Sequence, residues 1–144
     1  LKDLRAAAPK VAFIGPDGIF EEAFIEAAGP AAEGAHVTFG GVPPEKLTGK
    51  GADFYANYKK KYNAEPEGYA VYGYEAAKVI LDAVNRAGKK DRAAILSALA
   101  ATKDFDGALG KWSFDANGDT TLRTMSGNTI QDGKFTFVKL LGQK

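Results

Sequence analysis

Asp17 is the residue whose type and setting point most directly to chemistry. It lies in the run Val11-Ala-Phe-Ile-Gly-Pro-Asp-Gly18, whose continuous apolar start predicts a buried parallel strand. The Gly-Pro-Asp-Gly turn then delivers one carboxylate to the carboxyl end of that strand. Open α/β sheets take their ligands at this end, where the loops are exposed and the sheet behind them is rigid. A carboxylate there can hold a cation, so Asp17, with Gly15 and Pro16 shaping the turn, is the first candidate binding site. Aspartate also forms turns with no ligand at all, and the sequence leaves both roles open.

The six tyrosines form the second group with chemical potential. They stand at 55, 58, 62, 69, 72 and 74, crowded enough to wall an aromatic cleft. Tyr58 and Tyr62 follow Phe54 at helical spacing and read as a packing stripe, and Tyr74 reads as part of the core stripe of the next helix. Tyr72, just after Glu65-Pro66-Glu67-Gly68, lies at a helix start from which a side chain can project. It is the candidate cleft tyrosine, with core packing as its other reading.

The remaining candidates fall short of their motifs. His36 is the single histidine and the chain has no cysteine, so no set of converging ligands supports a metal site. Leu47-Thr-Gly-Lys-Gly51 resembles a phosphate loop, but Pro44 stands where the first glycine belongs and Gly51 where Ser or Thr must bind magnesium. Asp115-Ala-Asn-Gly-Asp119 resembles the start of a calcium loop. Thr120 and Ser126 occupy the places of its glycine and bidentate glutamate, which leaves an Asx-type turn. Lys59-Lys60-Lys61 reads as a solvated helix face. No nucleophile with an adjacent base is visible, so no catalytic residue is expected, and no cofactor or metal is expected.

These residues need elements to position them. Leu1, Leu4 and Ala7 or Ala8 predict that the chain opens in a helix, which suggests a piece of something larger. A short amphipathic helix is expected over Ile19–Ala27, with Glu21 and Glu22 near its positive end, and a second strand over Ala35–Phe39. Residues 42–51, with Pro43-Pro44, Gly49 and Gly51, read as a linker. Three helices are expected to follow. On the longest, Val71, Tyr74, Ala77, Ile80, Leu81 and Val84 predict the buried stripe, and Glu75, Lys78, Asp82 and Arg86 the wet face. Gly88 would end it, and Asp91 would cap the next helix. The last forty residues alternate as strands over Gly107–Asp115, Thr129-Ile130 and Phe135–Leu141, with Gln131-Asp-Gly-Lys134 as a tight hairpin turn.

Composition narrows the function. With 144 residues, 45% hydrophobic and 26% charged, the chain can bury one ordinary core. A net charge of +1 argues against nucleic acid as a partner, since nucleic acid selects a strongly basic face. No apolar run approaches the roughly 20 residues of a membrane span.

Five segments in order carry a resemblance: Phe-Ile-Gly-Pro-Asp-Gly (13–18), Ala-Glu-Gly-Ala-His-Val-Thr (32–38), Phe-Tyr-Ala-Asn-Tyr-Lys-Lys-Lys-Tyr (54–62), Tyr-Glu-Ala-Ala-Lys-Val-Ile (74–80) and Phe-Asp-Gly-Ala-Leu-Gly-Lys-Trp-Ser-Phe-Asp-Ala-Asn-Gly-Asp (105–119). Together they resemble the Leu/Ile/Val-type substrate-binding proteins of ABC transporters, within the type I periplasmic binding proteins. The resemblance implies an α/β, Rossmann-like, three-layer fold with a parallel sheet and C-terminal antiparallel strands. It implies that residues 1–38 are the C-terminal part of lobe 2, 39–117 a mainly helical return to lobe 1, and 118–144 the strands after the last crossover. A non-enzymatic receptor follows, periplasmic or extracellular and lipid-anchored, that closes two lobes on a free amino acid and hands it to a membrane permease. Asp17 would pair with the ligand ammonium, one methylene shorter than the glutamate the family often carries, while Gly15 and Pro16 shape the turn and Tyr72 matches a position near an aromatic or apolar contact. The N-terminal portion would be missing, and homodimerisation by element exchange could complete the fold. A dissected or engineered flavodoxin-like domain without binding activity is the alternative.

Overall fold

The computed structural model describes residues 1–142 and divides into two compact units. One comprises Leu1–Pro43 with the chain from Arg123 onward, the other Pro44–Leu122.

The first unit is a mixed α/β structure. Helix α1 (Lys2–Ala7) leads to strand β1 (Ile14–Gly15), a 3-10 turn over Asp17–Ile19, helix α2 (Glu22–Ala28), a second 3-10 turn over Gly29–Ala32 and strand β2 (His36–Gly40). The chain re-enters it through β5 (Met125–Gln131) and β6 (Lys134–Leu141). The sheet order is β1-β2-β5-β6, with β1 and β2 parallel and the other two pairings antiparallel. Alternation sets which side is dry: Val37 and Phe39 lie opposite Asn128 and Ser126, and all four are buried. Phe20 stacks on Phe39 at 4.5 Å between ring centroids and packs on Phe135 at 4.3 Å. Ala28, Ala32, Ala35 and Ile130 form the adjoining core, against which Leu1, Phe13, Phe24 and Ile25 pack.

The expected tight turn closes β5 onto β6. Asp132 and Gly133 adopt φ of 52° and 70°, the positive pair that matches the twist of a two-residue hairpin. Glu33 secures its tip by accepting the Asp132 and Gly133 amides at 2.8 and 3.3 Å.

The strand over Val11–Ile14 departs from expectation. It pairs in parallel as predicted, but only Ile14 and Gly15 join the ladder, and Val11 and Ile14 are exposed. Two causes are physical. Pro16 has no N–H to continue the ladder, and β1 is an edge strand of this sheet, so its outer side packs on no neighbour in it.

The second unit holds helices α3 (Lys50–Tyr62), α4 (Ala70–Ala87) and α5 (Arg92–Ala100), then a two-stranded sheet of β3 (Phe105–Gly107) and β4 (Gly110–Trp112). The residues expected at the helix ends perform as read: Gly88 ends α4 in the left-handed conformation, and the Asp91 side chain accepts the Ala94 amide at 2.7 Å to cap α5. The buried stripe of α4 is a correction. Val71, Glu75, Val79 and Ala83 face inward, whereas Tyr74, Ile80, Leu81 and Val84 are exposed. The reason lies in Glu75, whose carboxylate is fully bonded inside the unit, so a row containing one acid outcompetes a wholly apolar row.

Candidate functional site

Asp17 opens the 3-10 turn directly after β1 and is exposed. The turn is built by its own backbone: the Pro16 carbonyl accepts the Ile19 amide at 3.2 Å and the Asp17 carbonyl accepts the Phe20 amide at 2.8 Å. Phe20 is then drawn onto Phe39, which ties the turn to the sheet. Gly15 is buried against Ile19, and a Cβ there would meet the tip of the Ile19 side chain, which would have to move aside. Pro16 holds φ at −77° and ψ at 177°, fixing the direction in which Asp17 leaves the sheet. Three of the four candidate residues are therefore consecutive at one corner, where Gly15 is buried and Pro16 and Asp17 face solvent.

Tyr72 stands in the other unit, in the first turn of α4, and is half-buried. Its ring lies 6.3 Å from that of Tyr69, and its body packs on the cluster of Phe54, Val71 and Ala108. The other tyrosines divide as follows. Phe54, Tyr58 and Tyr62 form the expected stripe, with ring centroids 5.8 and 4.7 Å apart. Tyr74 packs on Phe54 at 4.9 Å while remaining 43% exposed, which corrects its placement in the core.

The weaker motifs are absorbed by the fold. Lys50 begins α3 and pairs with the Asp106 carboxylate at 2.7 Å. Asp115 Oδ1 accepts the Asn117 and Asp119 amides at 2.8 and 3.0 Å, a self-satisfied Asx-type turn. His36 is exposed on β2 and its amide bonds to the Phe13 carbonyl at 2.9 Å. Lys59 bonds to Glu65 and Lys61 lies over the ring of Tyr62. An open groove of about 650 Å³ lies between α1 and the Gly29–Ala32 turn, lined by Arg5, Lys10, Pro30 and Glu33. Two of these charges are engaged by backbone: Arg5 donates to the Val11 carbonyl and Glu33 accepts at the hairpin tip.

Sequence reasoning missed Glu75, assigned to the wet face of α4. The available signal was the row Val71, Glu75, Val79, Ala83, four residues apart throughout, which places Glu75 between two apolar neighbours on one helix face.

The arrangement therefore offers an acidic side chain, exposed at the start of a 3-10 turn that main-chain bonds close. The sequence pattern of a family described as periplasmic binding protein matches residues 1–134. The chain is 32% identical over 131 residues to the Leu/Ile/Val-binding protein homolog 2 of Brucella abortus, covering 89% of this chain and 34% of that protein. It is 30% identical over 133 residues to homolog 1 of Brucella suis, covering 90% of this chain and 35% of that protein. The chain thus spans about a third of the length of these curated relatives. Among solved structures, the leucine binding protein LivK of Thermotoga maritima aligns with a TM-score of 0.87 and 31% identity, over 96% of this chain and 39% of that one. The branched-chain amino acid transporter substrate binding protein LivJ of Streptococcus pneumoniae, in complex with isoleucine, aligns with a TM-score of 0.80 and 29% identity, over 95% and 40%.

Proposed function

The chain belongs to the periplasmic binding protein family, and from that premise we propose that it is the C-terminal part of the solute-binding component of an ABC importer. The ligand of this reading is a free branched-chain or related amino acid, held in a cleft between two lobes and passed to a membrane permease. Residues 1–38 are assigned to lobe 2, 39–117 to lobe 1 and 118–144 to the strands after the last crossover. The receptor works in the periplasm, or outside the cell on a lipid anchor, and catalyses no reaction.

The observation that supports the proposal is the place of Asp17, an acidic residue exposed at the start of the turn after β1, directly behind Gly15 and Pro16. An amino acid presents an ammonium group that must exchange water for protein acceptors. A carboxylate whose approach is set in advance gives that exchange a charge-assisted hydrogen bond, about 1.5–3 kcal/mol. Preorganisation matters because any freedom lost on binding is subtracted from affinity. Tyr72, half-buried on α4, supplies an aromatic surface for the side chain of the ligand.

The test is calorimetric titration of the complete receptor with L-leucine, L-isoleucine and L-valine. Asp17→Ala is expected to weaken binding at least about tenfold, the lower end of the range for a bond to a charged group. An unchanged affinity would remove Asp17 from the site.

A further inference from the structure

Glu75 is buried to 3% exposure and takes no direct part in the ligand reading above. An ionised carboxylate is tolerated in such a place only when its lone pairs are occupied. Here Oε2 accepts the Ala108 amide at 2.7 Å, and Oε1 accepts the indole N–H of Trp112 at 2.7 Å and the Leu109 amide at 3.4 Å. Ala108 and Leu109 are the two residues that join β3 to β4, so one side chain grips both the turn and the strand that follows. The fit extends to Gly107, where a Cβ would collide with the same carboxylate.

The held turn bears on Tyr72. Ala108 belongs to the buried cluster with Phe54 and Val71, and Tyr72 and Leu109 both pack against that cluster. Tyr72 and Glu75 also stand three apart on α4, neighbours on its surface. We propose that Glu75 is a positioning residue: by fixing the Ala108–Leu109 turn it holds one member of the cluster against which Tyr72 packs, and so presents the Tyr72 ring to the ligand in one orientation. This rests on the reading of Tyr72 as a ligand contact. A site whose supporting shell loosens loses affinity through added freedom of the contacting group, even where the contact itself survives.

A double-mutant cycle in the complete receptor, read as calorimetric affinity for L-leucine, tests this. Glu75→Gln keeps the side-chain size but turns an NH₂ toward an N–H donor. Tyr72→Ala and Glu75→Gln are each expected to weaken binding roughly three- to tenfold, and the double variant to bind no more weakly than Tyr72→Ala alone. A purely structural role would add its effect to that of Tyr72→Ala instead. Weakening by Tyr72→Ala but none by Glu75→Gln, or fully additive losses, would overturn the role of Glu75 and leave the ligand role of Tyr72 standing. No change on Tyr72→Ala overturns the ligand role itself, and this proposal with it. Should Glu75→Gln fail to fold by circular dichroism, Trp112→Phe removes one donor while keeping a ring against Phe105 and Phe114; the same non-additivity with Tyr72→Ala is expected, and additivity overturns the proposal.

Discussion

Asp17 and Asp115 both sit in turn sequences that contain glycine. Asp115 Oδ1 accepts two amides of its own loop, and Asp17 stands exposed at the start of a turn closed by main-chain bonds. A third acid, Glu65, shows what an exposed carboxylate does beside a phenol and an ammonium. Lys59, and then the Tyr55 hydroxyl at 2.5 Å, hold its carboxyl below the ordinary 4.5, while the bond to Glu65 holds the Tyr55 phenol above the ordinary 10.0. The signs follow from linkage. Glu65 contributes above its unfolded value and loses that contribution as pH falls through its lowered one. Tyr55 and Lys59, both raised, contribute at neutral pH and lose it as pH rises into the alkaline range. Solvent screens the cluster, so titration reads it better than melting does. Glu65→Gln is expected to lower the Tyr55 midpoint followed by NMR, and an unmoved midpoint would show that the pair does not form in solution.

At the scale of the element, α4 shows how hydrophobic periodicity misleads. Counting apolar residues favours the row through Tyr74, Ala77, Leu81 and Val84, yet Leu81 is 64% exposed and Val79 only 4%. Side-chain transfer favours the apolar row by a few kcal/mol in total. Three N–H donors converging on Glu75 remove the cost that would otherwise keep an acid outside. The assignment has a direct consequence for stability. Val79→Ala should cost about 2 kcal/mol through lost burial and an unfilled space, and Leu81→Lys should stay within about 0.5 kcal/mol. Urea unfolding of the two variants decides between the rows: the reverse order of costs would restore the stripe drawn from sequence.

For the molecule as a whole, the chain spans 34% of its Brucella abortus relative, and the ligand reading needs more surface than one such portion offers. Good pockets bury most of a small ligand. The 144-residue chain by itself is therefore expected to bind L-leucine, L-isoleucine and L-valine weakly or not at all, and micromolar affinity in calorimetry would contradict this. The parallel edge at β1, with Ile14 70% exposed, is a surface through which copies could exchange elements, and light scattering on the same sample reads the outcome. Sequence alone determined the order of the helices and of strands β1, β2, β5 and β6, the Asp132-Gly133 hairpin, the Asp91 cap, the Asx turn at Asp115 and the corner that carries Asp17, but not the division of the segment Gly107–Asp115 at Ala108–Leu109 into β3 and β4. All of these depend on backbone preferences and bonds among residues close in the chain, which local spacing encodes. Tertiary structure alone decided that Val11–Ile14 lies at an exposed edge, which face of α4 turns inward, and that Glu75 is buried. Those outcomes depend on partners far along the chain: Ala108 and Trp112 stand 33 and 37 residues from Glu75. No local pattern records whether a distant donor will arrive to satisfy a buried charge.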